Sequence, residues 1–139
     1  MSPHLDKELC EKYTNIMVER HLGAMQTSMC WGFDHGDGWF HILDSAMRLV
    51  QSHIDMERRR GKEIDQVVFE QVKEKFGSLR FYVNAATDEH YNYIRFAENL
   101  SAVTCEDCGA PGKTRGRGWY YTACDKHTKD GDEDGDISE

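Results

Sequence analysis

Apolar residues recur at helical spacing early in the chain. Leu5, Leu9, Tyr13, Ile16 and Met17 fall on one face and predict a helix over residues 5–20. Residues 21–38 lose that period and are rich in Gly and Met, with Asp34-His35-Gly36-Asp37-Gly38 reading as a turn. A second helix is predicted over residues 39–59, its buried stripe made of Trp39, Leu43, Ala46, Met47, Val50 and Ile54. The basic run Arg58-Arg59-Arg60 before Gly61 suits the negative end of that helix's dipole.

The period then shortens to two. Residues 67–72 and 79–83 are β-branched and aromatic runs joined across residues 73–78, where Gly77 supplies a turn, so an antiparallel hairpin is expected. In its second strand Leu79, Phe81 and Val83 should face the core, with Arg80 and Tyr82 outward. A third helix follows over residues 89–103, capped by Thr87 or Asp88, with Tyr93, Ile94, Ala97, Leu100 and Ser101 on its apolar face. Residues 119–122 read as one further short strand. The fold class expected is α+β: helices packed on a small antiparallel hairpin or sheet, with a C-terminal metal knuckle. The divisions expected are a body over residues 1–103, a knuckle over 104–128 packed on it, and an acidic disordered tail over 129–139.

Charge sharpens the tail. The net charge is −8, and the last eleven residues hold six acids and one lysine, so they contribute −5 and leave only −3 for the rest. A segment so charged and so poor in apolar residues is expected to stay solvated. No apolar run approaches the roughly 20 residues of a membrane span. The first residues lack a basic and apolar leader, so a cytoplasmic protein is expected.

The strongest chemical signal is the cysteine spacing. Cys105-x₂-Cys108 and Cys124-x₂-His127 are two short hooks separated by fifteen residues, a spacing used by zinc ribbons and knuckles. Four protein ligands leave no open position, so one structural Zn2+ is expected, with Gly109 letting the chain fold back after the first hook. Such a site contributes about 10–16 kcal/mol of apparent binding energy, against about 5–15 kcal/mol for the stability of a whole domain. The metal should therefore decide whether the knuckle folds. Cys10 and Cys30 are left as free thiols, expected to behave as small buried hydrophobes.

Five segments stand out together: Gly38-Trp39 opening a helix, Gln71-Val72-Lys73-Glu74-Lys75-Phe76-Gly77-Ser78-Leu79-Arg80-Phe81-Tyr82, the hook Cys105-Glu106-Asp107-Cys108-Gly109-Ala110-Pro111-Gly112, Gly118-Trp119, and Cys124-Asp125-Lys126-His127. In combination they resemble a family of small uncharacterised bacteriophage and bacterial proteins. The resemblance covers roughly residues 30–128. It implies a phage-type accessory protein acting in the cytoplasm of a bacterial host, with no activity attached.

Other motifs weaken on inspection. Gly112-Lys113-Thr114 imitates the end of a phosphate-binding loop, but the position five residues before Gly112 is Asp107, inside the first hook. The H-x-E of zinc deaminases and the H-E-x-x-H of metalloproteases do not occur. Asp130-x-Asp132-x-Asp134-Gly135 opens like a calcium loop, yet the twelfth-position glutamate it needs falls past Glu139. Asp34, His35 and Asp37 offer acid–base material for a nuclease; the plainer reading is a turn in which Asp37 caps the Trp39 helix. Contact candidates are the basic inter-hook residues Lys113, Arg115 and Arg117, beside Trp119, Tyr120 and Tyr121, and the outward hairpin residues Lys73, Lys75, Arg80 and Tyr82. The function expected is non-enzymatic: a zinc-stabilised module that binds and modulates a host bacterial protein. The alternative is a nucleic-acid-binding protein or nuclease working through the basic knuckle.

Overall fold

In the computed structural model, which describes residues 1–129 and 131–132, the first helix α1 spans Pro3–Lys12. It ends eight residues earlier than its apolar period predicts. Two long-range demands stop it. The Tyr13 hydroxyl is held by the side chain (2.6 Å) and carbonyl (2.9 Å) of Asp44, and the Ile16 carbonyl accepts from the Phe69 amide at 2.9 Å. Residues 14–22 therefore run as turns, yet Tyr13, Ile16 and Met17 are buried as their spacing requires. Arg20 ties this segment back to α1 through Asp6 at 2.7 Å and reaches the Cys30 carbonyl at 3.0 Å.

The segment expected as a plain loop contains a short strand β1, Phe33–Asp34, flanked by single 3₁₀ turns at Met29–Trp31 and Asp37–Trp39. Helix α2, Phe40–Arg59, follows with its predicted stripe buried, together with Ile42. Asp37 does not cap it. Its carboxylate instead accepts from the amide (2.6 Å) and hydroxyl of Ser2. Strands β2, Val68–Lys75, and β3, Ser78–Asn84, form the expected antiparallel hairpin. Its two-residue turn, Phe76-Gly77, has positive φ at both positions (53° and 85°), the type I′ geometry that matches strand twist. Parallel pairing of Phe33 with Val72 and Asp34 with Lys73 adds β1 to β2, making a mixed three-stranded sheet in the order β1-β2-β3.

Helix α3, Asp88–Ser101, packs on both α2 and β3. Thr87 caps it, and the cap is reciprocal: the Thr87 hydroxyl accepts from the His90 amide while the Thr87 amide donates to the His90 ring. Ile94, Ala97 and Ser101 are buried, whereas Leu100, expected inside, is 40% exposed. The helix also closes the sheet edge. The Leu79 amide donates to Ser101 Oγ at 2.8 Å and the Phe81 amide to Glu98 Oε2 at 3.1 Å, so edge groups that would template aggregation are satisfied. Phe69 and Phe81 meet edge to face at 5.6 Å in the core. Each such side chain contributes about 1.5–3 kcal/mol by leaving water. Among the described residues, no helix is long and apolar enough to cross a membrane.

Candidate metal centre

Beyond α3 the chain makes a knuckle with its own small core of Cys105, Tyr121 and Ala123. The first hook is a tight turn in which the Cys105 amide donates to the Ala110 carbonyl (2.7 Å) and the Gly109 amide to the Cys105 carbonyl (2.9 Å). Gly109 sits at φ 78°, as the fold-back requires. Strands β4, Lys113–Arg115, and β5, Tyr121–Ala123, pair antiparallel and return the chain to the second hook. That hook is a 3₁₀ turn, Asp125–His127, closed by the His127 amide on the Cys124 carbonyl at 3.1 Å.

The folding brings Cys105, Cys108, Cys124 and His127 together, with one ligand atom from each lying within 4.8 Å of all the others. Among the described residues this is the one such group of three or more. Cys108 Sγ is 3.7 Å from Cys124 Sγ, and His127 Nδ1 is 3.1 Å from Cys124 Sγ and 3.5 Å from Cys105 Sγ. Zinc–sulfur bonds of about 2.3 Å and zinc–nitrogen bonds of about 2.0 Å in a tetrahedron put sulfurs about 3.8 Å apart and sulfur–nitrogen pairs about 3.5 Å apart. The four donors are therefore spaced to hold a metal ion. Burial opposes ionisation of the Cys124 thiol, but its hydrogen bonds to His127 and Cys108 bring it down to about 6. The same contacts with Cys124 and Cys105 raise His127. Cys105 is fully buried, while Cys108 is exposed.

The knuckle is bolted to the body along one seam. The Gly38 amide donates to the Glu106 carbonyl at 2.7 Å, the Gly36 amide to Glu106 Oε1 at 3.2 Å, and the Trp39 indole to the Thr104 carbonyl at 2.8 Å. Burial raises the Glu106 carboxyl, which that Gly36 amide partly offsets. At the other end, Thr122 Oγ1 donates to the Gly77 carbonyl at the hairpin turn, 2.5 Å away.

The contact candidates divide. Arg115 is not a surface residue: it is 4% exposed, with Nε on the Ala123 carbonyl at 3.0 Å and Nη2 on Asp125 at 2.7 Å. A guanidinium emerging from a three-residue strand toward the paired strand is drawn inward to hold the second hook. Lys113 and Arg117 remain exposed, as do Trp119 at 75% and, more modestly, Tyr120. Tyr121, grouped with those aromatics by sequence, is buried. On the hairpin Lys75 and Tyr82 are exposed, and Lys73 and Arg80 are half-buried; the Lys73 ammonium lies 5.5 Å over the Tyr82 ring.

Asp34, His35 and Asp37 do not assemble. Asp34 points to solvent and Asp37 is engaged by Ser2. The His35 ring is buried against Phe33 and Trp39, Nδ1–H donates to the Gly36 carbonyl at 2.7 Å, and Nε2 has no partner among the described residues. Burial lowers His35 to about 4, which keeps it neutral and closed off from a substrate. The start of the tail is engaged: Tyr121 OH donates to Asp132 at 2.9 Å and accepts from the Lys129 amide at 2.9 Å. Asp130 and residues 133–139, which carry the rest of the acidic tail and of the calcium-loop pattern, lie outside the described residues.

One polar chain has no forewarning in the sequence. The Thr87 amide donates to His90 Nδ1 (3.1 Å), so neutral His90 carries its proton on Nε2 and donates to His53 Nδ1 (2.8 Å). His53 then carries its proton on Nε2 and donates to Glu89 (3.1 Å), which also accepts from Tyr93 OH (2.6 Å). Every imidazole nitrogen is thereby used, and none is left for a metal. Two histidines 37 residues apart, on different helices, give no local pattern to read. No protein-family model, curated protein or solved structure matches this chain.

Proposed function

We propose that the protein is a non-enzymatic binding module, its knuckle held by one structural Zn2+, that recognises and modulates a host bacterial protein as a phage-type accessory factor. The observation that carries this reading is a pair of exposed aromatic side chains on two turns that are fastened together. Phe76, 69% exposed, tips the hairpin; Trp119, 75% exposed, tips the β4–β5 connection. The bond from Thr122 to the Gly77 carbonyl joins the hairpin turn to β5. Solvent exposure of two large aromatics costs solubility, and rigid presentation lowers the entropy lost on docking. Lys75, whose ammonium lies 5.5 Å over the Phe76 ring, and Arg117 supply the polar surround that such contact centres commonly carry. The resemblance of residues 30–128 to phage and bacterial proteins supports the choice of a host partner. Four protein ligands closing the metal centre support a scaffold role for the ion.

The test is affinity purification from bacterial lysate with zinc-loaded protein and with a Phe76→Ala/Trp119→Ala variant. A stoichiometric protein retained by the parent and lost from the variant, with zinc content unchanged, is the expected result. Equal capture by both would refute the assignment of this surface.

A second reading rests on Arg117 and Trp119, both exposed and two residues apart on the β4–β5 connection, a basic and aromatic loop suited to stacking on single-stranded bases. It predicts a gel shift with oligonucleotides that weakens steeply with salt and is lost in Lys113→Ala/Arg117→Ala. Absence of any shift at low salt eliminates it. Arg115 belongs in neither experiment, because its loss would damage the knuckle.

A further inference from the structure

The four ligands are unequally protected. Cys105 is fully buried, at the centre of the knuckle's small core. Cys108 is exposed, and Cys124 is half-buried. Both line one open cleft, with Pro111, Lys113 and Lys126 beside them. Their sulfurs are 3.7 Å apart. A disulfide needs about 2.05 Å, so less than about 1 Å of movement by each sulfur would join them.

We infer that Cys108 and Cys124 are an oxidation site: a peroxide reaching the cleft converts them to a disulfide and expels the metal ion. This rests on the metal-centre reading above. Zinc holds both sulfurs as thiolates, the form that reacts. The exposed Cys108 thiolate attacks the peroxide, its sulfur–oxygen bond forms as the oxygen–oxygen bond breaks, and hydroxide leaves, giving a sulfenic acid. The Cys124 thiolate then attacks that sulfur. The sulfur–sulfur bond forms, the sulfur–oxygen bond breaks, and a second hydroxide departs. With two protons taken up, the balance is two thiolates and one hydrogen peroxide to one disulfide and two waters. Sulfur is oxidised by two electrons and peroxide oxygen is reduced by two.

Only Cys105 and His127 then remain for the ion, too few to hold it. The remaining thiols do not compete equally. Cys105 is shielded. Cys10 is half-buried with Asp6 at 3.4 Å, and burial with that carboxylate pushes its thiol up to about 12, away from the reactive form. Loss of the ion frees the hook that carries Glu106, and with it the seam at Gly36 and Gly38. The exposed turn bearing Trp119 would lose its fixed position. Binding of a partner through that turn would thus fall under oxidising conditions and return with thiol reductant and zinc.

The experiment uses the full chain, first assayed for zinc by elemental analysis. One zinc per chain is expected. A chain that takes up none after reconstitution overturns the metal centre and this inference together. The zinc-loaded protein is then treated with one equivalent of hydrogen peroxide in the presence of a chromophoric chelator, followed by alkylation and peptide mass spectrometry. The expected result is one zinc released per disulfide, with the disulfide mapped to Cys108 and Cys124 and reversed by reductant. Two variants guard the assignment. Cys10→Ser/Cys30→Ser should release zinc at the parent rate. Cys108→His, which keeps four ligands, should bind zinc and release it at least about tenfold more slowly, since imidazole is not oxidised by peroxide. A zinc-loaded parent that keeps its metal while Cys10 or Cys30 is oxidised, or one whose disulfide includes Cys105, overturns the inference and leaves the metal centre standing. So does a Cys108→His variant that releases zinc as fast as the parent.

Discussion

Substituting Gly38 by alanine tests how the knuckle is fastened to the body. A Cβ at this position would lie 2.2 Å from the Cys105 carbonyl oxygen and 2.6 Å from the carbonyl carbon and oxygen of Glu106. These are backbone atoms of the metal hook, so no side-chain rotation relieves the clash. Ordinary contact distances require the hook to retreat by roughly 1 Å. That retreat breaks the 2.7 Å bond from the Gly38 amide to Glu106 and stretches the 2.8 Å bond from the Trp39 indole to Thr104. Overpacking of this kind costs about 1–3 kcal/mol, and each lost bond adds about 1 kcal/mol. The expected loss is therefore about 2–5 kcal/mol, a large part of a typical domain's stability of about 5–15 kcal/mol. Urea unfolding followed by circular dichroism should show the midpoint falling by about 1 M or more, given slopes of about 1–3 kcal/mol/M. Metal content should match that of the parent, because the four clustered side chains themselves are unaltered. Gly61→Ala is the control: nothing lies within 4 Å of its Cβ position, and only its φ of +80° is strained, worth about 1–2 kcal/mol. A Gly38→Ala protein whose midpoint lies within roughly 0.3 M of the parent would refute this account of the seam.

Further outcomes follow from the same contacts. Removing the metal with a chelator should abolish amide protection in residues 104–128 while α2 and the β2–β3 hairpin keep theirs; protection retained across the knuckle would show that the ion is not what orders it. Acid should destabilise the fold through its buried histidines. Burial lowers both His35, to about 4, and His90, where neighbouring His53 adds to the effect. The unfolded chain binds protons more readily, so this stability is complete above about pH 6.5 and is lost as pH falls from there toward 4. His35 alone accounts for about 3 kcal/mol of that loss, to be read from urea midpoints across the range and reduced in a His35→Phe variant. Replacing Asp44 by alanine removes the acceptor shared by Lys12 (2.8 Å), Tyr13 (2.6 Å) and Arg48 (2.7 Å). A loss of about 1–3 kcal/mol is expected, against a clearly smaller loss for Lys12→Ala, whose side chain is exposed and screened by solvent; equal effects would contradict the central place given to Asp44.

The sequence by itself determined whatever depends on near neighbours. The stripe of α2 is a repeat of 3.6 residues and needs no partner to be seen. The hairpin is a repeat of two broken by Phe76-Gly77, and the metal hooks are spacings short enough for a single turn to decide. The cluster of Cys105, Cys108, Cys124 and His127, which could hold a metal ion, was legible for that reason. Tertiary structure decided the rest, because competing groups far along the chain settled each case. The apolar period past Lys12 favours helix, yet Asp44 and the Phe69 amide claim Tyr13 and Ile16 and end it. Strand β1 exists because β2 offers it an edge, not because two residues announce a strand. Arg115 looks like surface charge until Ala123 and Asp125 close around it. The relay from Thr87 through His90 and His53 to Glu89 arises where two helices cross, and hydrogen-bond geometry across that crossing alone assigns each proton. Long-range polar contacts are directional and leave no periodic trace, which is why only the folded chain reveals them.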